Sequence, residues 1–216
     1  MSRNIAGSQL AVFAGCGLAT LVLGLLDAGA WLSMREYGLF QNVQAGVLGL
    51  ALGLGLLSLW RAEGQARVFW VFILGFAFFF VWRELDLDQE FFADRMFSWA
   101  YLFRDSVPLS TKLILGLPSI GLSLAWGGYV AWRAPLLVAG LRHSGRAASL
   151  VWAGLTLACF GLGQIWDKAT AFQRDWGIRI YDRATKDPYV EEAFELLGAV
   201  AFVLLIVELR RAGPER

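Results

Sequence analysis

The chain has 216 residues, 57% of them apolar, and 19 Lys and Arg balance 18 Asp and Glu to a formal net charge of +1. Near-neutrality without a basic run excludes a nucleic-acid footprint. The apolar residues fall in long blocks with the charges between them, which excludes one or two ordinary soluble domains and predicts an all-α integral membrane protein.

Six blocks predict six transmembrane helices in a single domain, at approximately 9–33, 43–60, 67–88, 111–132, 148–168 and 188–209. The first begins in "MSRNIAGSQLAVFAGCGLATLVLGLLDAGAW", where Ala28 to Ala30 imitate a signal-peptide cleavage site. Its apolar stretch is too long for a signal core, and Asp27 interrupts it, so a retained first helix is expected. The second opens with "REYGLFQNVQAG", which brings Gln41, Asn42 and Gln44 to its start, and continues through the G-x-x-x-G of Gly49 and Gly53. Such spacing predicts close helix packing inside the bundle.

The third, Val68 to Trp82, runs straight into "RELDLD". To span about 30 Å at about 1.5 Å per residue it must continue through Arg83 and Glu84, with Asp86 and Asp88 following at the surface. Between the third and fourth spans, "QEFFADRMFSWAYLFRDSVP" places Phe92, Met96, Trp99 and Phe103 at helical spacing among charges. That pattern predicts an amphipathic segment over 89–108, lying at the interface or folding back as a lid. The fifth span ends "FGLGQIWDK", with Gln164, Asp167 and Lys168 at its end.

In the sixth, the uninterrupted apolar run from Leu196 to Val207 is too short to cross alone. The helix must start near Pro188, which suits a first helical position after Asp187 as N-cap. Glu191, Glu192 and Glu195 then occupy its first two turns within an arc of about 100°. Tryptophans 31, 60, 70, 82, 132, 152 and 166 fall at the predicted boundaries, as an interfacial belt would. Cys16 and Cys159 sit inside apolar blocks and read as small packing residues. His143 reads as a residue of a basic loop.

Short loops rich in Arg, "WRAEGQAR" and "WRAPLLVAGLRHSGR", lie on the side of both termini, and the acids concentrate on the other. The positive-inside rule therefore predicts both termini in the cytoplasm, in a bacterial inner membrane with the acidic face outward. Five helices bring polar groups to one depth on that face. The expected ligands of a metal are Glu84, Asp167, Glu191 and Glu195, with Asp27, Gln41, Arg83, Asp86, Asp88, Gln164, Lys168 and Glu192 as the supporting polar cluster. Each acid alone also has a plain reading, as a complement to a helix dipole or half of an interfacial ion pair. Together, and at depth, they predict a polar cavity.

A single histidine excludes zinc chemistry of the H-E-x-x-H kind. "EEAFE" is superficially like the E-E-x-x-x-R motif of CAAX-type membrane peptidases, but position 196 is Leu and the later histidines are missing. No G-x-S-x-G, P-loop or haem-type ligand pair occurs. Oxygen-only ligands suit Mg2+, Ca2+ or Mn2+, or an organic cation. Carboxylates in apolar surroundings also suit general acid–base work, for which Glu195 and Asp167 are the candidate catalytic residues.

The succession of "REYGLFQNVQA", "WRELDLD", "QIWDK" and "EEAFELLGA" resembles a loose group of bacterial polytopic inner-membrane proteins. Their third span is followed by an R-E-L-D-type motif, and an E-E-x-x-E-L motif opens their last. Some members carry a Glu near the position of Gln41, where this chain has an amide. The resemblance implies a multi-pass membrane fold and no particular activity. Three functions stay open: binding of a divalent or organic cation, a carboxylate- and metal-dependent enzyme acting on a lipid or polyprenyl headgroup, and a scaffold or accessory subunit. The partners implied are the lipid bilayer, a cation or lipid headgroup, and a homodimer or larger membrane complex.

Overall fold

The computed structural model describes residues 2–26, 39–85, 103, 105–143, 147–177 and 188–212. Among these the chain is all-helical. Six long helices follow the six apolar blocks: α1 (Ser2–Leu26), α2 (Leu39–Arg61), α3 (Gly64–Glu84), α4 (Leu117–His143), α5 (Ala147–Trp176) and α6 (Pro188–Ala212). A short turn, Leu109–Thr111, and a π-helical turn, Lys112–Gly116, lead into α4. Two stretches, Phe40–Arg61 and Ala148–Trp166, are long and apolar enough to cross a membrane, and Gly7–Val22 and Ala66–Trp82 are shorter apolar helices.

Several helices outrun their apolar blocks. α4 continues through Pro135, which gives up one backbone hydrogen bond without ending the helix, and reaches His143. His143 therefore closes a helix and is not a loop residue. α5 extends to Trp176 and stops at Gly177, whose φ of +68° is the left-handed conformation that glycine adopts beyond a helix end. α6 starts at Pro188, as its fixed φ favours.

α6 is the central helix. Consecutive residues Ala199, Val200, Ala201 and Phe202 are all buried, as are Leu204, Leu205 and Ile206, so the helix is covered on every side. α5, α2 and α1 cover it, and α3 packs against α2. Only two residues, Ala62 and Glu63, separate α2 from α3, and Gly64 takes the tight corner with φ +54°. A connection this short forces α2 and α3 to run antiparallel side by side. The start of α2 and the end of α3 thereby meet at one end of the bundle. α4 leans on α3 through rings: Phe72 stacks on Tyr129 at 4.4 Å, and Phe76 meets Trp126 at 5.4 Å.

The glycines divide into two sets. A Cβ at Gly198 would stand 3.1 Å from the Phe160 ring, so α5 and α6 approach closely there. At Gly46, Gly49 and Gly53 it would meet nothing within 4 Å, so among the described residues the G-x-x-x-G of α2 does not make the close contact its spacing predicts. The tryptophans divide as well. Trp60 and Trp132 are 87% and 69% exposed, as a belt position requires, whereas Trp70 and Trp152 are buried in the core. Cys16 and Cys159 are both free thiols within the packing.

Replacing Gly198 by Leu forces the Phe160 ring aside, at a cost of about 1–3 kcal/mol for overpacking. In a chain of this size that lowers the melting temperature by about 2–4 °C per kcal/mol. Gly53→Leu should leave it unchanged, and thermal denaturation of the two variants in detergent checks the contrast.

Candidate functional site

The hairpin of α2 and α3 brings Gln41 and Gln44 against Glu84, the last residue of α3. Gln41 and Gln44 are three residues apart on one helix face. The Gln41 amide donates to the backbone carbonyl of Glu84 at 2.7 Å, which satisfies one of the carbonyls left over at the end of α3. Gln44 donates to Oε2 of the Glu84 carboxylate at 2.6 Å. Gln44 is 0% exposed and Glu84 only 7%.

α6 contributes the other half from its first two turns. Glu195 is 3% exposed, and its Oε1 accepts a hydrogen bond from the Gln164 amide of α5 at 2.9 Å. Gly163 makes that approach possible: a Cβ there would lie 2.8 Å from the Glu195 Cγ. Glu192, half-buried one turn earlier, completes a group. One carboxylate oxygen from each of Glu84, Glu192 and Glu195 lies within 4.8 Å of the others. Two like unit charges at 4.8 Å repel by about 3.5 kcal/mol at an effective dielectric of about 20.

Below the triad, towards the middle of the bundle, the surroundings become aromatic. Phe80 lies one turn before Glu84 on α3 and stacks on Phe160 of α5, with centroids 4.0 Å apart. Phe160 in turn covers Gly198, one turn beyond Glu195. The carboxylates therefore rest on an aromatic floor, and Gln44 of α2 and Gln164 of α5 donate to two of them at their own level. The opposite end of the bundle holds a separate polar set: Trp152 donates to Gln9 at 3.3 Å, and buried Glu208 pairs with Arg211 at 3.2 Å.

The expected ligands and the observed group overlap in part. Glu84 and Glu195 come together. The third member is Glu192, expected only in support, rather than Glu191, which stands in the first turn of α6 outside the group. Gln41 and Gln164 hold the backbone and the carboxylate described above. Asp167 and Lys168 lie on the helical backbone of α5 and Arg83 on that of α3, but the side chains of all three lie outside the described residues. Asp27, Asp86, Asp88 and Asp187 lie outside them altogether, as does most of the 89–108 segment, of which only Phe103 and 105–108 are described.

Two contributors escaped the ligand list. Gln44 carried a usable signal in its three-residue spacing from Gln41. Gly163, between Leu162 and Gln164, carried none, because a glycine gives no hint that a carboxylate packs on it.

No family model matches the chain, and no curated protein or solved structure matches it either.

Gln164→Leu takes one donor away from the buried Glu195 carboxylate, at a cost of about 1–3 kcal/mol. Gly163→Ala should destabilise through the same carboxylate, by pushing on Cγ. Because both act on Glu195, the double variant should lose less stability than the sum of the singles. A double-mutant cycle by thermal denaturation checks this, and strict additivity would contradict it.

Proposed function

We propose that this chain is a six-span protein of a bacterial inner membrane, with both termini in the cytoplasm, that holds a divalent or organic cation in an outward-facing intramembrane site. The observation that carries this reading is the meeting of Glu84, Glu192 and Glu195 within 4.8 Å. Charges buried in such numbers are paired or hold a cation. The amides of Gln44 and Gln164 orient two of the three carboxylates, and a cation held by all three would offset their like charges.

The membrane part of the reading draws on which residues face out. Leu10, Leu18, Leu50, Phe78, Leu122 and Leu157 are exposed large apolar residues on five helices. Gln9, Gln44, Ser149, Thr156 and Glu195 are buried. Apolar surface on all sides with polar side chains inside suits a lipid solvent and is costly in water. The aromatic floor under the triad favours a site that binds over a pore that conducts, since no polar group continues the path from Phe80 and Phe160 inward among the described residues.

Two measurements test the reading. The wild type, purified in detergent and freed of metal by chelation, is titrated with Mg2+, Ca2+, Mn2+ and a quaternary ammonium ion. Binding at 100 times the dissociation constant stabilises by about 2.7 kcal/mol and should raise the melting temperature by several degrees. Glu192→Gln removes one repelling charge, so in chelator it should match or exceed the wild type, and it should gain little from cation. A wild type unmoved by every cation would overturn the site. For orientation, a reporter fused after Arg216 should read as cytoplasmic, and one fused after Phe103 should read as external. The reverse result would overturn the topology.

A further inference from the structure

We propose that the end of the bundle opposite the carboxylates binds the phosphate of an anionic phospholipid headgroup, through the guanidinium of Arg133 seated on Trp132 and Tyr129 of α4. The proposal rests on the membrane reading above and is independent of the cation site.

The observation is a cation held in place by rings and not by an acid. The guanidinium carbon of Arg133 lies over the Trp132 ring, 4.2 Å from its centroid, and over the Tyr129 ring at 5.7 Å. Tyr129 is itself held, stacked on Phe72 of α3 at 4.4 Å. Such contacts position a guanidinium without neutralising it. Nε of Arg133 is buried with no hydrogen-bond partner, and no carboxylate pairs with this side chain among the described residues. Arginine presents five N–H donors in a planar fork, which fits a phosphate two bonds at a time. The charge and the fork are both left for an outside anion.

Placement identifies the source of that anion. Phe72 of α3 meets Tyr129 of α4 and Phe76 meets Trp126, so the two helices run antiparallel. One turn further on, Arg133 is level with Arg67 and Val68 at the start of α3. A Cβ at Gly55 of α2 would stand 2.9 Å from Leu74, which sets Trp60 at the same level. Trp132 and Trp60 are 69% and 87% exposed there, and Val71 and Leu124 expose apolar surface further towards the middle. Exposed indole rings at one level mark the headgroup region, with acyl chains on its inner side. Charge agrees with this. Stretches 60–70 and 129–148 hold Arg61, Arg67, Arg133, Arg142 and Arg146 against a single acid, Glu63. A phosphate carried by a lipid satisfies the guanidinium and covers the apolar surface beside it, whereas a free phosphate does only the first.

The test titrates the full chain in a neutral detergent with phosphatidylglycerol and, separately, with phosphatidylcholine, and counts bound lipid by native mass spectrometry. Phosphatidylglycerol should half-saturate the first site at a concentration about tenfold or more below phosphatidylcholine. Arg133→Lys keeps the charge but loses the planar fork and its seat on the rings, and should raise that midpoint about fivefold or more. Arg133→Gln should raise it at least as far, and serves if the lysine variant does not fold. Arg61→Lys, an exposed arginine of the same level, should leave it unchanged. Equal binding of the two lipids, an Arg133→Lys variant equal to the wild type, or displacement of phosphatidylglycerol by inorganic phosphate at matching concentration overturns this inference alone. A chain that binds neither lipid and stays monodisperse without detergent overturns the membrane reading with it.

Discussion

Mutual repulsion among three carboxylates is the constraint on which this end of the molecule depends. Glu84, Glu192 and Glu195 approach within 4.8 Å in a setting that gives water little access. Each neighbouring feature lowers the cost of that arrangement. Gln44 and Gln164 supply amide donors at 2.6 and 2.9 Å, Gln41 ties down the carbonyl at the end of α3, and Gly163 gives up its side chain to let Glu195 in. The short corner at Ala62 to Gly64 sets all of this in place, because it fixes which end of α2 faces which end of α3.

The second organising fact is the placement of α6. Its buried run from Leu196 to Ile206 makes it the axis that α1, α2 and α5 surround. An axial helix must be apolar where it is enclosed, and between Glu195 and Glu208 its sequence is so. Glu192 and Glu195 are therefore not scattered surface charges: they form the polar segment at one end of this enclosed helix, as Glu208, Arg210 and Arg211 form one at the other. The close approach of Phe160 to Gly198 marks where the polar segment ends and the dry core begins.

Much of the architecture was legible in the sequence, for a simple reason. Long apolar blocks separated by charges give helices and their number, and Pro188 marks a helix start by its backbone preference alone, whereas the end of α5 lies past the expected 168, at Trp176 before Gly177. The meeting of acids from two helices at one end was legible too, since Glu84 closes the third apolar block and Glu192 and Glu195 open the sixth. Faces were harder to read. Glu191 and Glu192 are neighbours in sequence, and an arc of about 100° holds both. Only the position of α6 beside the end of α3 brings Glu192 to Glu84 and Glu195. The tryptophans failed in the same way: a ring near the end of a helix suits a membrane interface or a helix contact equally, and Trp70 and Trp152 took the contact. The G-x-x-x-G of α2 promised a close neighbour, and among the described residues none comes within 4 Å of a Cβ placed at Gly49 or Gly53.

The central claim is that a cation sits among these carboxylates, and diffraction tests it most directly. Crystals of the full chain grown with calcium would be measured at X-ray energies above and below the calcium absorption edge. The account predicts one anomalous peak about 2.3–2.6 Å from carboxylate oxygens of Glu84 and Glu195, with Glu192 beside it. A well-ordered site with the three carboxylates together and no anomalous peak between them would contradict it.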